Sequence, residues 1–182
     1  DAVPFLYWKA AAIMGEFSVD SFNPGLMLTI PGAVALIVRA LEIEEDYNQG
    51  ALHDLLIAVF GNVPVSLIYR TTDTNSSYSV IGVLETYYAA AGALLSNMTT
   101  DDQVLFHLEL SVRFSDGLKA SPYVSASSIF IKNQNSAEFK SMLNKALDID
   151  LDIKPENRLM NIISQRKARW LLDHIEDYFF ML

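Results

Sequence analysis

The side chains able to do acid–base or metal chemistry in this chain are few: three histidines, His53, His107 and His174, no cysteine, and 22 Asp or Glu residues. No histidine has a second one three or four residues away, the spacing that sets two imidazoles on one helical face. A metal site would therefore need donors from distant segments. All three read as packing or surface imidazoles, and His53 with Asp54 and Arg39 could make a polar contact between helices. There is no G-x-S-x-G elbow, no P-loop and no G-x-G-x-x-G fingerprint, which argues against a serine hydrolase, a nucleotide hydrolase and a dinucleotide enzyme. Absent cysteine removes thiol catalysis, disulfides and zinc–thiolate sites. The carboxylates of Glu42, Glu44, Glu45 and Asp46 read as a solvated helix end. The expectation is a protein that is not an enzyme, with no catalytic residue, metal or cofactor.

Binding chemistry is better represented. Two clusters stand out: the aromatics Phe5, Tyr7, Trp8, Tyr87 and Tyr88, and the group Arg158, Arg166, Arg169 and Trp170 near the C-terminal end. Aromatics at helical spacing serve a core or the wall of an apolar tunnel, where few polar groups suit a hydrophobic ligand. The arginines serve either as partners for acidic helix ends or as a docking surface for another protein. A net charge of −9 and a pI near 4.7 argue against nucleic acid, which needs clustered cations. Hydrophobic residues reach 51% against 19% charged, with a mean hydropathy of +0.22, so the core is large or apolar surface is kept for a partner.

These residues must be positioned mostly by helices. Apolar residues recur at helical spacing over 4–18, 31–45, 48–60, 79–96, 101–115, 120–131, 136–148 and 155–179, about eight helices. Breakers such as Asn23-Pro24-Gly25 and Asn133-Gln134-Asn135 separate them, and Thr100-Asp101-Asp102-Gln103 reads as a capped start. Val65 to Tyr69 could be a short strand, followed by a polar loop from Arg70 to Ser77. In the last helix Leu159, Ile162, Ile163, Trp170 and Leu171 read as one buried face. No segment is expected to span a membrane; the apolar run from Val80 to Leu95 is interrupted by Glu85 and Thr86. The chain opens at Asp1 on an apolar helix, and reads as processed or truncated.

A weak internal repeat organises the helices. Ala40-Leu41-Glu42-Ile43-Glu44-Glu45 and Ala146-Leu147-Asp148-Ile149-Asp150-Leu151 share a pattern, and Ser111-Val112-Arg113-Phe114-Ser115-Asp116 is a degraded copy. Their anchors fall at about one and two multiples of a ~34-residue period, that of tetratricopeptide helix pairs. The expectation is all-α: one tetratricopeptide-like α-α superhelix over residues 1–182, closed by a long C-terminal helix.

Four stretches in order resemble one family. They are Val3-Pro4-Phe5-Leu6-Tyr7-Trp8-Lys9-Ala10-Ala11-Ala12, the run from Ala40 through Asp46-Tyr47-Asn48-Gln49-Gly50-Ala51-Leu52-His53, Ser121-Pro122-Tyr123-Val124, and the end from Pro155-Glu156-Asn157-Arg158-Leu159 through Arg169-Trp170-Leu171-Leu172-Asp173-His174. The chain looks like a T-component of TRAP transporters. Residues 63–100 depart from the family pattern and read as an insertion. The resemblance implies a periplasmic lipoprotein, attached to the membrane only through a lipid anchor absent from this sequence, with no chemistry of its own. Its partners would be a TRAP substrate-binding protein and further copies of itself, as a trimer, with apolar passages for a hydrophobic small molecule or lipid. The alternative is a helical-repeat adaptor that binds a protein and no small molecule.

Overall fold

The periodic segments are helical in the computed structural model, which describes residues 2–70 and 79–180. The order is α1 (Val3–Val19), α2 (Pro24–Met27), α3 (Ile30–Ile43), α4 (Tyr47–Asn62), α5 (Val65–Ile68), α6 (Val80–Ala90), α7 (Thr100–Phe114), α8 (Ser121–Ala126), α9 (Ser128–Lys132), α10 (Ser136–Leu147) and α11 (Arg158–Asp173). Short 3-10 turns occur at Leu95–Asn97, Pro155–Asn157 and Ile175–Asp177. The described residues contain no strand, and the protein is all-α. The stretch read as a possible strand, Val65–Ile68, is instead a single helical turn begun by Pro64. Its β-branched residues do not make a strand here: Ile68 is anchored in the core while Val65 stays exposed. The polar loop expected after it falls mostly outside the described residues.

Helix ends follow local chemistry. Thr99 and Asp102 form a reciprocal capping box at the start of α7, whose first turn carries two acids and whose last turn carries Arg113. The Asn135 side chain accepts from the Glu138 N–H at the start of α10. α6 stops well short of the expected residue 96. Gly92 takes a left-handed φ of 80°, the Ala93 N–H donates to the Tyr88 carbonyl at 2.8 Å, and the Gly92 N–H donates to Ala89. That is a Schellman termination, and it needs a residue without Cβ strain at this point.

Five pairings carry the fold: α1 packs on α3, α4 on both α7 and α8, and α10 on both α8 and α11. The repeat anchors sit in α3, α7 and α10, and Ala40, Ser111 and Ala146 are each fully buried. Each small residue lets a neighbouring helix approach, so the arrangement is compatible with a tetratricopeptide-like superhelix. One apolar cluster joins α1, α3, α4, α6 and α7, and a second joins α8, α10 and α11; Tyr123 and Phe130 touch both. The run Pro24–Ile43, rather than the interrupted run from Val80 to Leu95, is long and apolar enough to cross a membrane by length and composition. In the fold it is divided between α2 and α3, and Ile30, Val34, Ile37 and Val38 are core residues.

The turn into α4 is unusual. Asn48, Gln49 and Gly50 all have positive φ, at 46°, 59° and 78°. Asn tolerates this region, Gly prefers it, and Gln does not. Gln49 is held there from outside: its carbonyl accepts from Lys119 Nζ at 3.3 Å and its side-chain oxygen from Asn157 Nδ2 at 2.9 Å. Gly50 has a second reason to be glycine, since a Cβ would lie 3.1 Å from the Ser111 Cα.

Candidate functional site

Two of the three histidines meet at the centre of the molecule. His53 on α4 and His107 on α7, 54 residues apart, are fully buried with their Nδ1 atoms 2.9 Å apart. His107 Nε2 lies 2.9 Å from the Tyr88 hydroxyl on α6, which is 3.4 Å from Gln103 Oε1; Tyr69 donates to that same oxygen at 2.9 Å. At the other end His53 Nε2 has no hydrogen-bond partner and faces Glu45 Oε1 at 4.0 Å, an oxygen that already accepts from the Tyr87 hydroxyl at 2.9 Å. Burial, with Arg113 and Lys119 adding repulsion, holds His53 at about 3, and burial beside His53 holds His107 well below its ordinary value. Both rings are therefore neutral, and the 4.0 Å approach to Glu45 is not an ion pair.

Neutrality fixes the protons. Each ring carries one N–H, so one Nδ1 donates and the other accepts. If His53 donated, its Nε2 lone pair would face a carboxylate. The reverse order suits every contact: Tyr88 donates to His107 Nε2, His107 Nδ1–H donates to His53 Nδ1, and His53 Nε2–H points at Glu45. This also accounts for the longer Tyr88–Gln103 distance, since the one phenolic hydrogen is already given to His107. Burial pushes the Tyr87 and Tyr88 phenols up, so both remain protonated donors.

A second polar centre lies next to it along the α4–α7 interface. Lys119 Nζ pairs with Asp54, which also accepts from Ser111, in a largely buried setting beneath the left-handed turn. This replaces the expected Arg39 contact; Arg39 pairs with Glu42 on its own helix at 2.7 Å. Among the described residues no three His, Asp or Glu side chains are grouped to hold a metal.

The terminal helix departs in part from its sequence reading, which holds for Leu171 and not for Leu159, Ile163 and Trp170. Its buried residues are Asn161, Ser164, Gln165, Ala168 and Leu171. Gln165 Nε2 donates to the Ala146, Leu147 and Ile149 carbonyls at the end of α10, at 2.8 to 3.3 Å. Asn161 accepts from the Ala120 N–H and donates to the Leu118 carbonyl. These obligations to backbone groups draw the polar face inward. Leu159, Ile163 and Trp170, expected to be buried, are 68%, 52% and 51% exposed. At 100° per residue they fall on one outer stripe with Arg166 among them.

Comparison with known proteins bears on what these features serve. The family model of the TRAP transporter T-component matches residues 1–68 and 70–179. The chain belongs to that family. The T-component match runs through most of residues 63–100, so the segment read as an insertion falls within it. A curated relative, an uncharacterised protein of Treponema pallidum (strain Nichols), is 26% identical over 174 residues, 96% of this chain and 45% of that protein. This T-component thus spans less than half the length of the relative it matches. A T-component is an accessory part of a TRAP transport system rather than a known enzyme.

The residues singled out in the sequence of this T-component are distributed as follows. Phe5 and Trp8 are exposed on α1, while Tyr7 is half-buried against Tyr47. Tyr87 lines a cleft between α3, α6 and α7, and Tyr88 is wholly buried beside it. The five aromatics therefore do not line one cavity within a single chain. Arg158, Arg166, Arg169 and Trp170 all lie exposed on α11; Arg158 pairs with Asp152 at 2.9 Å, and His174 stacks on Trp170 with ring centres 4.4 Å apart. The His53–His107 pair had no signal in the sequence beyond two histidines in apolar helical segments.

Proposed function

We propose that this T-component is a periplasmic accessory protein that docks a TRAP substrate-binding protein on the outer stripe of α11. The observation that carries this reading is the outer stripe of α11, with Leu159, Ile163 and Trp170 turned to solvent while Asn161, Ser164 and Gln165 share the buried face with Ala168 and Leu171. A central apolar patch with a cationic rim is the usual anatomy of a protein interface, and Trp and Arg are its commonest anchors. Arg166, Lys167 and Arg169 supply that rim in a chain of net charge −9, favouring an acidic surface on the partner. Stacking on His174 fixes the Trp170 indole before binding, which lowers the ordering cost.

Two further parts of the reading concern ligand and assembly. A cleft of about 480 Å³, bounded by Val65, Tyr69, Ile81, Leu95 and Met98, suits a hydrophobic ligand by size and lining. Phe5 and Trp8 would wall an apolar passage only against another copy, as in a trimer, and a lipid anchor upstream would hold the assembly at the membrane. The adaptor alternative differs in carrying no small molecule, which mass spectrometry of natively purified protein distinguishes.

The test of docking is Trp170→Ala combined with Arg166→Glu, neither of which touches the buried face. Affinity for the cognate substrate-binding protein should fall at least tenfold, about 1.4 kcal/mol, with the helical signal unchanged. Unchanged affinity in the folded double variant would move the docking surface off α11.

A further inference from the structure

The cleft between α3, α6 and α7 takes no part in docking on α11, and of its charged residues only Glu42 is paired among the described residues, with Arg39 at 2.7 Å. Its volume is about 640 Å³, within the range of small-ligand sites. Glu45 and Glu109 line it, and among the described residues neither has Lys or Arg within 4 Å. Arg113 lines it as well and likewise has no carboxylate within 4 Å among the described residues; its guanidinium lies 5.0 Å over the Phe114 ring. Glu109 and Arg113 are four residues apart on α7, a spacing at which such pairs ordinarily close. Here they stand open on the same wall. The rings of Tyr87 and Phe106, at right angles with centres 6.5 Å apart, also line the cleft.

Behind Glu45 is a prepared support. Tyr87 donates to Glu45 Oε1, and the fully buried His53 Nε2–H, without a partner, is aimed at the same oxygen from 4.0 Å. The histidine is neutral, so it orients the carboxylate without cancelling its charge. Oε2 is left for something in the cleft. Two free carboxylates in a cleft lined by two aromatic rings attract an ammonium group, by charge and by cation–π contact. The guanidinium attracts an anionic group on the same molecule.

We propose that this cleft binds a zwitterionic headgroup, its ammonium against Glu45, Glu109 and the Tyr87 and Phe106 rings and its anionic group on Arg113. The ammonium end is the more specific, having two carboxylates and two rings against one guanidinium at the other. A free zwitterion and a lipid headgroup share this chemistry, with the apolar lining from Leu41 and Leu110 available to the start of an acyl chain.

Calorimetric titration with defined probes tests it. Phosphocholine and phosphoethanolamine represent free headgroups, dihexanoylphosphatidylcholine below its micellar concentration represents a lipid, and inorganic phosphate represents the anion alone. At least one zwitterion should bind saturably, at least tenfold tighter than phosphate, and Glu45→Gln and Arg113→Gln should each weaken it at least tenfold. A tenfold preference for the lipid identifies a membrane-derived ligand, and equal or weaker binding of the lipid identifies a free one. Trp170→Ala on α11 should leave all of this unchanged, so failure of the docking reading would be separately visible. Absence of saturable binding by every zwitterion at millimolar concentration, phosphate binding as tight as the zwitterions, or undiminished binding by folded Glu45→Gln would overturn the proposal.

Discussion

Mild acid should destabilise this protein through His53 and His107, by an amount that follows from their burial. Burial, together with Arg113 and Lys119, holds folded His53 at about 3, and folded His107 lies well below its ordinary value. In the unfolded chain both return to ~6.5. Both folded values are depressed, so from about pH 6.5 down the unfolded chain binds more protons and stability falls as pH falls. Integrating the linkage from pH 7 to pH 5 gives about 2 kcal/mol for His53, and His107 adds to the loss in the same direction. His53 alone thus carries an appreciable share of a typical domain's stability of about 5–15 kcal/mol. Asp54 opposes this trend. Burial raises it although Lys119 and Ser111 pull it down, so the folded state takes up its proton first as pH falls and loses that contribution as pH rises. Tyr87 and Tyr88 are raised phenols and stay neutral throughout the range. The assay is urea unfolding followed by far-ultraviolet circular dichroism at pH 7, 6 and 5, on the parent and on His53→Asn with His107→Gln. The parent should lose about 2 kcal/mol or more and the double variant, although weaker at pH 7, much less over the same interval. A flat parent profile, or equal slopes in the two proteins, would refute the buried neutral pair.

Three other outcomes follow from the geometry. Lys119→Met should cost about 3 kcal/mol by leaving Asp54 unpaired, and adding Asp54→Asn should recover part of it, both read by urea unfolding. Gly50→Ala should cost about 1–3 kcal/mol, because it combines a positive φ with a Cβ pressed on Ser111; a thermal midpoint equal to the parent's would contradict the close approach. Thr99→Ala removes the capping box of α7 and should cost about 1 kcal/mol by the same unfolding measurement, with no change in docking on α11.

Helix positions were readable because apolar periodicity survives without knowledge of contacts, and the buried anchors Ala40, Ser111 and Ala146 were visible as a repeat. The facing of α11 was not. Leu159, Ile163 and Trp170 fit a buried stripe by hydropathy alone, whereas Asn161 and Gln165 go inside because they answer backbone groups of α10 and the 118–120 segment. Those acceptors are up to 43 residues away in sequence, and no local window contains them. The histidine pair was hidden for the same reason. Spacing rules find side chains that share a helix, and His53 and His107 share only the α4–α7 interface. Glu45 looked like one member of a solvated acidic end until the Tyr87 hydroxyl and the cleft appeared beside it.

The left-handed turn at Asn48–Gly50 bears on how the molecule comes apart. In an ideal solenoid each unit touches only its neighbours, and unravelling from one end costs little more than the outermost interface. Here the Asn157 side chain at the head of α11 reaches Gln49 across 108 residues of chain, and Lys119 holds the same residue through its carbonyl. Fraying of the C-terminal unit would release the clasp that keeps Gln49 in its strained conformation, and relaxation of that turn would loosen α4 beside the His53 pair. Loss of one end is thereby felt at the other. Unfolding should be a single cooperative transition, with hydrogen-exchange protection in α4 and α11 rising and falling together, where an open stack of repeats would lose its last helix first.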